Sequence, residues 1–283
     1  MIKVLDSGFY STIQDLGRMD YQAYGVPYSG VMDVYSAKLA NALLNNEMDA
    51  AVMEITMTGP KLLFNTVTSI CITGADLSPK LNDKTVKQNY LIPVKDGDVL
   101  TFGKLNYGFR AYIAVLGGFQ TENVMQSRSM YQGITKSFRL NKEDTMSITT
   151  PVFPICDTHA GLKVNTAHFI STIIEVYKGP EFDALSAVQQ TQLFKQHFTV
   201  SKDNSRMAYQ LNEAFNNNLK AIITSLVMPG TVQLTPSGKL IILMKDCQST
   251  GGYPRILQLK DTSIGILSQK FIGSKFQFVL NDL

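Results

Sequence analysis

Short apolar runs broken by polar punctuation dominate the chain, and long amphipathic stretches are few. Ile2–Leu5, Ala51–Met57, Lys61–Phe64, Ser69–Thr73, Val99–Phe102 and Arg110–Leu116 are rich in Val, Ile, Thr, Tyr and Phe. Ile173–Tyr177, Phe198–Val200, Met207–Leu211, Thr231–Leu234, Leu240–Met244, Ile256–Leu259 and Phe276–Leu280 repeat the pattern. β-Branched and aromatic residues in runs of this length pack well on a pleated surface, so these are predicted strands. Turn residues separate many of them, as at Thr58-Gly59-Pro60, Asp96-Gly97-Asp98, Lys178-Gly179-Pro180 and Pro236-Ser237-Gly238. Helical spacing is confined to Asp33–Leu44, with Asp33 as its N-cap, Ser186–His197, with Ser186 as its cap, and a turn at Asn212–Asn217. Many short strands and few helices predict a mainly β protein of barrel or sandwich type.

Asn141–Thr166 carries Pro151 and Pro154 and few patterned positions, which puts a domain boundary there: 1–150 and 151–283. Each half holds a strand running into Gly-Pro, at Glu54–Pro60 and Glu175–Pro180, and one main helix. That is the pattern of a loose internal duplication.

Composition agrees with two domains. The chain has 283 residues, against about 150 per domain. With 45% hydrophobic and 17% charged residues it has ample material for a core. The net charge of +3 is interspersed, without a basic run that would track a nucleic-acid backbone. Cys71, Cys156 and Cys247 are odd in number and show no C-x-x-C spacing, which suits a reducing compartment. The N-terminal stretch has no long apolar segment, and runs such as Tyr112–Leu116 are too short to span a bilayer. A cytoplasmic protein is expected. His159, His168 and His197 lack ligand spacing, so no metal site is expected. Neither a P-loop nor a G-x-G-x-x-G or G-x-S-x-G motif occurs.

Three groups of residues carry candidate chemistry. The first is Ser11–Arg18 with Gly25–Asp33, read as two glycine-bounded loops bearing Gln14, Asp15, Arg18, Ser29 and Asp33. They run into the first helix, where N–H groups from Gly30 to Asp33 would face outward as an anion or carbonyl site. In the plainer alternative Asp33 only caps the helix and Arg18 pairs with Asp15. The second group is charge inside apolar runs: Glu54 and Arg110, for which an ion pair is the leading reading, and Arg128 and Arg206 beside short polar residues. An arginine so placed can clamp a carboxylate or phosphate with two bonds. The third is Asp246–Pro254, where a buried strand ends in Gln248, Ser249, Thr250, Gly251, Gly252 and Tyr253. Its hydroxyls, amide and bare glycine backbone suit a small amide or carboxylate, and with the first group it is expected to line one cleft.

These motifs form an ordered series: Thr12–Arg18, Gly25–Asp33, Ala40-Asn41, Glu54 with Gly59-Pro60, Thr73–Asp76, Gly97-Asp98, Arg110–Tyr112 and Gly117-Gly118. Ser127–Ser129, Ser205–Met207, Pro229–Gln233 and Asp246–Pro254 continue it. As a set they resemble the biotin-dependent carboxyltransferase-like family. Its members include allophanate hydrolase subunit 2, the carboxyltransferase half of urea carboxylase, the C subunit of 5-oxoprolinase and an antagonist of a sporulation-kinase inhibitor. The resemblance spans nearly the whole chain and implies two cyclophilin-like β-barrel domains. It also implies a heteromeric complex with a subunit-1-like protein (the 5-oxoprolinase B subunit) and the lactam-barrel A subunit. The implied activity is ATP-dependent opening of 5-oxo-L-proline to L-glutamate. A carboxyltransferase acting on urea with carboxybiotin, and a protein binding a histidine-kinase inhibitor, are the alternatives. Gln14, Asp15, Arg18, Asp33, Arg128 and Arg206 are the catalytic candidates, and Ser29, Gly30, Gln248, Thr250, Gly251, Gly252 and Tyr253 the substrate-binding ones. The chain departs from the family at Gln126, where Gly is common before Ser-Arg-Ser, at Ala208-Tyr209-Gln210, where Gly-Tyr-Arg is common, and at Ser249, where Thr is common.

Overall fold

A computed structural model describes residues 1–149 and 164–281. The boundary at 150/151, Pro151, Pro154, Cys156 and His159 lie outside the described residues. The chain forms two compact units, one of Met1–Gly17 with Ser29–Phe169, the other of Arg18–Tyr28 with Ile170–Leu283. The architecture is mainly β with few short helices, as the strand pattern predicts.

The first unit contains β1 (Ile2–Asp6), β2 (Tyr10–Gln14), α1 (Val34–Leu43), β3 (Val52–Thr56), β4 (Lys61–Phe64) and β5 (Thr68–Asp76). β6 (Lys80–Leu81), β7 (Lys84–Thr85), β8 (Leu91–Val94), β9 (Val99–Thr101), β10 (Tyr107–Val115) and β11 (Thr145–Met146) follow. They make a six-stranded sheet, ordered β11-β1-β4-β9-β6-β7, and a five-stranded sheet, ordered β2-β3-β10-β5-β8. Ile2, Val4, Leu62, Phe64 and Leu100 from one sheet share a core with Ile13, Met53, Ile55, Ile72, Ala111 and Ile113 from the other.

The period of two explains what the opposite face of the five-stranded sheet does. Val52, Cys71, Tyr112 and Ala114 point away from that core and pack on Ala37 and Ala40 of α1 and on Leu44, its C-cap. Burial on both faces is why Ala111–Val115 reads as a continuous apolar run rather than as alternation.

In the second unit β12 (Ile173–Lys178) follows α2 (Ala167–Ile170), a short helix at the boundary between the units. Then come α3 (Ala187–Lys195), β13 (Phe198–Asn204), β14 (Ala208–Ala214), β15 (Ser225–Leu226) and β16 (Thr231–Leu234). β17 (Lys239–Leu243), β18 (Thr250–Gly251), β19 (Arg255–Leu259), α4 (Asp261–Ser268) and β20 (Lys275–Leu280) complete it. Seven strands close into a barrel, β12-β19-β16-β17-β14-β13-β20, while β15 and β18 pair separately as a two-stranded ribbon. Phe278 packs inside at ring-centroid distances of 5.1 Å from Phe198 and 5.3 Å from Phe276.

Three local expectations change. Tyr10–Gln14 is a strand, not loop, because it pairs with Val52–Thr56 along its whole length. Asn212–Ala214 continues β14 rather than forming a helical turn. α3 stops at Lys195, so His197 lies beyond it, although Ser186 forms the expected cap as half of a capping box with Gln189.

Candidate functional site

One polar row crosses the helix-facing side of the first unit. Thr12, Glu54, Tyr112 and Thr73 are direct neighbours across β2, β3, β10 and β5. All four are buried beneath α1 and the turn before it. Glu54 Oε2 accepts from Met32 N at 2.7 Å and from the Tyr112 hydroxyl at 2.8 Å. Arg110 Nε lies 3.8 Å from Glu54 Oε1, which is the ion pair expected from the sequence. Tyr112 Oη in turn accepts from Asp33 N at 2.8 Å. Burial, reinforced by the charges of Glu54 and Asp33, pushes the Tyr112 phenol well above its usual range. It therefore stays protonated and donates.

Asp33 is the N-cap of α1, accepting from Ser36 N at 3.2 Å and Ser36 Oγ at 2.7 Å. His168 Nε2 stands 2.9 Å from Asp33 Oδ2, the same oxygen that takes the Ser36 hydroxyl. Thr73 Oγ1 donates to Ser36 O at 2.7 Å and ties the first turn of α1 to the sheet. His168 is a partner that spacing could not reveal: 135 residues separate it from Asp33. Its ring also sits 4.8 Å from Tyr35 and 5.2 Å from Phe169, centroid to centroid.

The outward row of N–H groups expected from Gly30 to Asp33 does not form. Gly30 N donates to Gln14 Oε1 at 3.1 Å and Val31 N to Asp15 O at 2.9 Å. With Met32 N on Glu54 and Asp33 N on Tyr112, every donor of this turn is spent inside the protein. Two carboxylates, those of Glu54 and Asp33, also occupy the space where an anion would sit, so the turn does not fit a phosphate. Gly30 is needed here for packing: at φ +84° a Cβ would lie 2.8 Å from Gly17 N. Ser29 beside it is buried at φ 55°, with no hydrogen-bond partner for Oγ among the described residues.

Gln14 is fully engaged as well, donating to Thr12 Oγ1 and Met130 O at 3.1 Å each. Asp15 organises the Ser127–Ser129 turn. Its Oδ1 accepts from Gly17 N, Ser127 Oγ and Ser129 Oγ at 2.9, 2.7 and 2.6 Å, and Oδ2 accepts from Arg128 N at 2.6 Å. The Arg128 guanidinium donates to Gln120 Oε1 at 2.9 Å and to Thr121 O. Gln126 keeps a left-handed backbone at φ 61°, next to Met125 at φ 53°, in a tight turn closed between Val124 and Ser127.

In the second unit Arg18 is buried; its N–H donates to Tyr28 O at 2.7 Å and its carbonyl accepts from Gln22 Nε2 at 2.9 Å, closing a compact loop. The Arg206 fork is held by Asp246, with Nε to Oδ2 at 2.8 Å and Nη2 to Oδ1 at 3.0 Å. Asp246 N also donates to Arg206 O at 2.9 Å. Arg206 thus anchors the start of the Asp246–Pro254 segment. Within that segment Thr250 and Gly251 belong to β18, and Thr250 and Tyr253 are exposed. Gln248 and Gly252 are partly exposed. Cys71 and Cys247 are free thiols pushed up to about 12 by burial, which keeps both protonated and unreactive near neutral pH. Among the described residues no helix is long and apolar enough to cross a membrane.

The structure therefore brings Gln14, Asp15, Ser29, Gly30, Asp33 and Arg128 into the first unit. Arg18, Arg206, Gln248, Thr250, Gly251, Gly252 and Tyr253 fall in the second.

Comparison with known proteins gives this arrangement a family. The C subunit of 5-oxoprolinase from Escherichia coli (strain K12) is 28% identical over 285 residues, covering 99% of this chain and 91% of that protein. Urea amidolyase of Lachancea kluyveri is 45% identical over 130 residues, which are 46% of this chain and 7% of that protein. The solved structure of the Kluyveromyces lactis urea carboxylase matches with a TM-score of 0.83 at 27% identity, covering 99% of this chain and 27% of that one. The profile of the carboxyltransferase domain, subdomain A and B, matches residues 24–280, and the chain belongs to that family.

Proposed function

We propose that this chain is the C subunit of a 5-oxoprolinase, acting within a complex that opens 5-oxo-L-proline to L-glutamate at the expense of ATP. The observation that carries the reading is the match to a 5-oxoprolinase C subunit over 99% of this chain and 91% of the relative. The chain spans only 7% of the urea amidolyase it resembles, so that likeness supports a shared domain rather than a shared overall task.

Chemically, a lactam carbonyl is a poor electrophile because its nitrogen donates into it. Transferring the γ-phosphoryl group of ATP to the carbonyl oxygen makes the ring carbon electrophilic enough for water to add. The C–N bond then breaks with a proton delivered to nitrogen, and a second water hydrolyses the resulting acyl phosphate to glutamate and phosphate. The step needs donors around the developing charge. In this reading Gln248, Thr250, Gly251, Gly252 and Tyr253 hold the small amide, and Arg206 fixes that segment through Asp246. Arg18 and Arg128 are the remaining cationic candidates. The closed Gly30–Asp33 turn is not assigned the nucleotide. The free buried thiols support a cytoplasmic location.

A second reading, carboxyl transfer to urea from carboxybiotin, is favoured by the 45% identity to urea amidolyase across 130 residues. One experiment separates the two. The purified three-subunit complex is given 5-oxoproline with ATP, or urea with carboxybiotin. Glutamate and ADP in the first reaction, and no loss of carboxybiotin in the second, are expected. The reverse outcome would replace the first reading by the second.

A further inference from the structure

On β16 the side chains of Val232 and Leu234 are buried at 0% exposure, and the alternation of the strand sends Thr231 and Gln233 to the opposite, outer side of the barrel. Thr231 Oγ1 finds a partner there, Gln258 Oε1 at 2.9 Å. Gln233 does not. It is 2% exposed, and its Nε2 is buried with no hydrogen-bond partner among the described residues. A buried amide nitrogen without a partner is costly, and such groups in native proteins call for an explanation.

What covers Gln233 is the β15–β18 ribbon. A Cβ added to Gly251 would stand 2.5 Å from Gln233 Nε2 and 3.4 Å from Val227 Cγ1, so a larger residue there would push the Gln233 amide out of its place. The φ of Gly251 lies outside the left-handed region, so that space, not backbone conformation, is what glycine provides. Ile241, directly opposite Gln233 on β17, belongs with Leu243, Val227 and Cys247 to a small apolar cluster outside the barrel. The ribbon is short: two residues per strand, flanked by bonds from Ile222 N to Gly252 O at 3.0 Å and Val227 N to Ser249 O at 3.1 Å. A ribbon of this size is marginal alone, and local opening is expected of it.

We propose that Gln233 is a substrate-binding residue of a small-amide site beneath the β15–β18 ribbon, its Nε2 donating to the carbonyl oxygen of a lactam whose methylenes rest on Val227, Ile241 and Leu243. An apolar wall with a single amide donor matches the ring methylenes and the carbonyl of a five-membered lactam; the carboxylate of 5-oxoproline lies outside these contacts. The segment Gln248–Tyr253 then serves as the lid of this site. This inference rests on the lactam reading above.

Gln233→Met keeps the length and volume of the side chain and removes the donor. A donor without a partner contributes nothing to the fold, so the melting temperature of the variant stays level or rises. In the three-subunit complex the KM for 5-oxoproline rises about tenfold, the loss of one hydrogen bond to a neutral acceptor, while kcat changes less. Gly251→Ala, which pushes the amide out of its place and keeps Gln233 itself, raises KM likewise and covers the case in which Gln233→Met does not fold. Unchanged KM in folded Gln233→Met, or in Gly251→Ala, overturns the proposal. Should the wild-type complex not turn over 5-oxoproline, the lactam reading falls on its own. The site is then tested by calorimetric titration of the wild-type chain and Gln233→Met with 2-pyrrolidone and with urea. Binding that is lost in the variant upholds the site; no binding to the wild type, or equal binding by both, overturns it.

Discussion

Tyr112 shows how much one side chain does in the first unit. Its hydroxyl donates to Glu54 and accepts from Asp33 N, so it joins the ion pair of β3 and β10 to the first residue before α1. Tyr112→Phe keeps the ring packed but leaves a buried carboxylate and a buried N–H each one partner short. A loss of about 2 kcal/mol is expected by chemical denaturation. Gln126 offers the opposite case. A non-glycine residue at φ 61° costs about 1 kcal/mol relative to glycine. Gln126→Gly is expected to raise stability by about that amount, read from the denaturation midpoint. Equal or lower stability would mean that the Gln126 side chain contributes contacts that outweigh its backbone cost. This is the residue-level meaning of the departure from the family pattern: the turn is kept and the strain accepted.

At the scale of elements, the strands were legible because their runs of Val, Ile, Thr and aromatics are bounded by turn residues. β2 was not, since Tyr10-Ser-Thr-Ile-Gln14 holds polar residues that a solvent-facing loop would also hold, and neither were β8, which contains Pro93, and the two-residue strands β6, β7, β11, β15 and β18. The residues of β2 are polar because one face of it lies against the buried Glu54 row, a fact only tertiary pairing supplies. For the same reason the turn before α1 looked open in sequence. Its N–H groups are consumed by Gln14, Asp15, Glu54 and Tyr112, which come from three other segments of the chain. The loop after β17 was legible as far as its residue types, yet Arg206 as its anchor was not, because the two acceptor oxygens sit 40 residues on. Breaking that pair by Arg206→Ala leaves Asp246 largely buried and unmatched, costing about 3 kcal/mol. Adding Asp246→Asn should recover part of the loss. A double mutant no more stable than Arg206→Ala would deny the coupling.

A second paired charge sets the acid behaviour of the barrel. Hydrogen bonds from Arg255 hold the Glu181 carboxyl below its usual range, and Arg255 rises above its own. A carboxyl depressed by folding binds fewer protons in the native state than in the unfolded one. Its stabilisation is therefore complete above the ordinary Glu titration near pH ~4.3, and it is lost as pH falls through the depressed value. Glu181→Gln should be less stable than wild type at neutral pH and approach it at the acid end. A constant difference across the pH range would contradict the assignment.

For the molecule as a whole, both halves are β units with their own cores, and the family match extends over residues 24–280. The sequence motifs identified the family because they are spread along the chain in order. They did not identify roles, because most of the polar residues in them are spent on one another: Asp15 on a serine turn, Asp33 on a helix cap, Arg206 on Asp246. The central claim is that this chain is an indispensable part of a lactam-opening enzyme, and omission tests it most directly. Glutamate formation from 5-oxoproline and ATP is measured with the two partner proteins, with and without this chain. The account predicts ATP-coupled glutamate release with the chain present and a loss of at least about a hundredfold without it, a barrier change of near 2.7 kcal/mol. Equal release with the chain left out would contradict it.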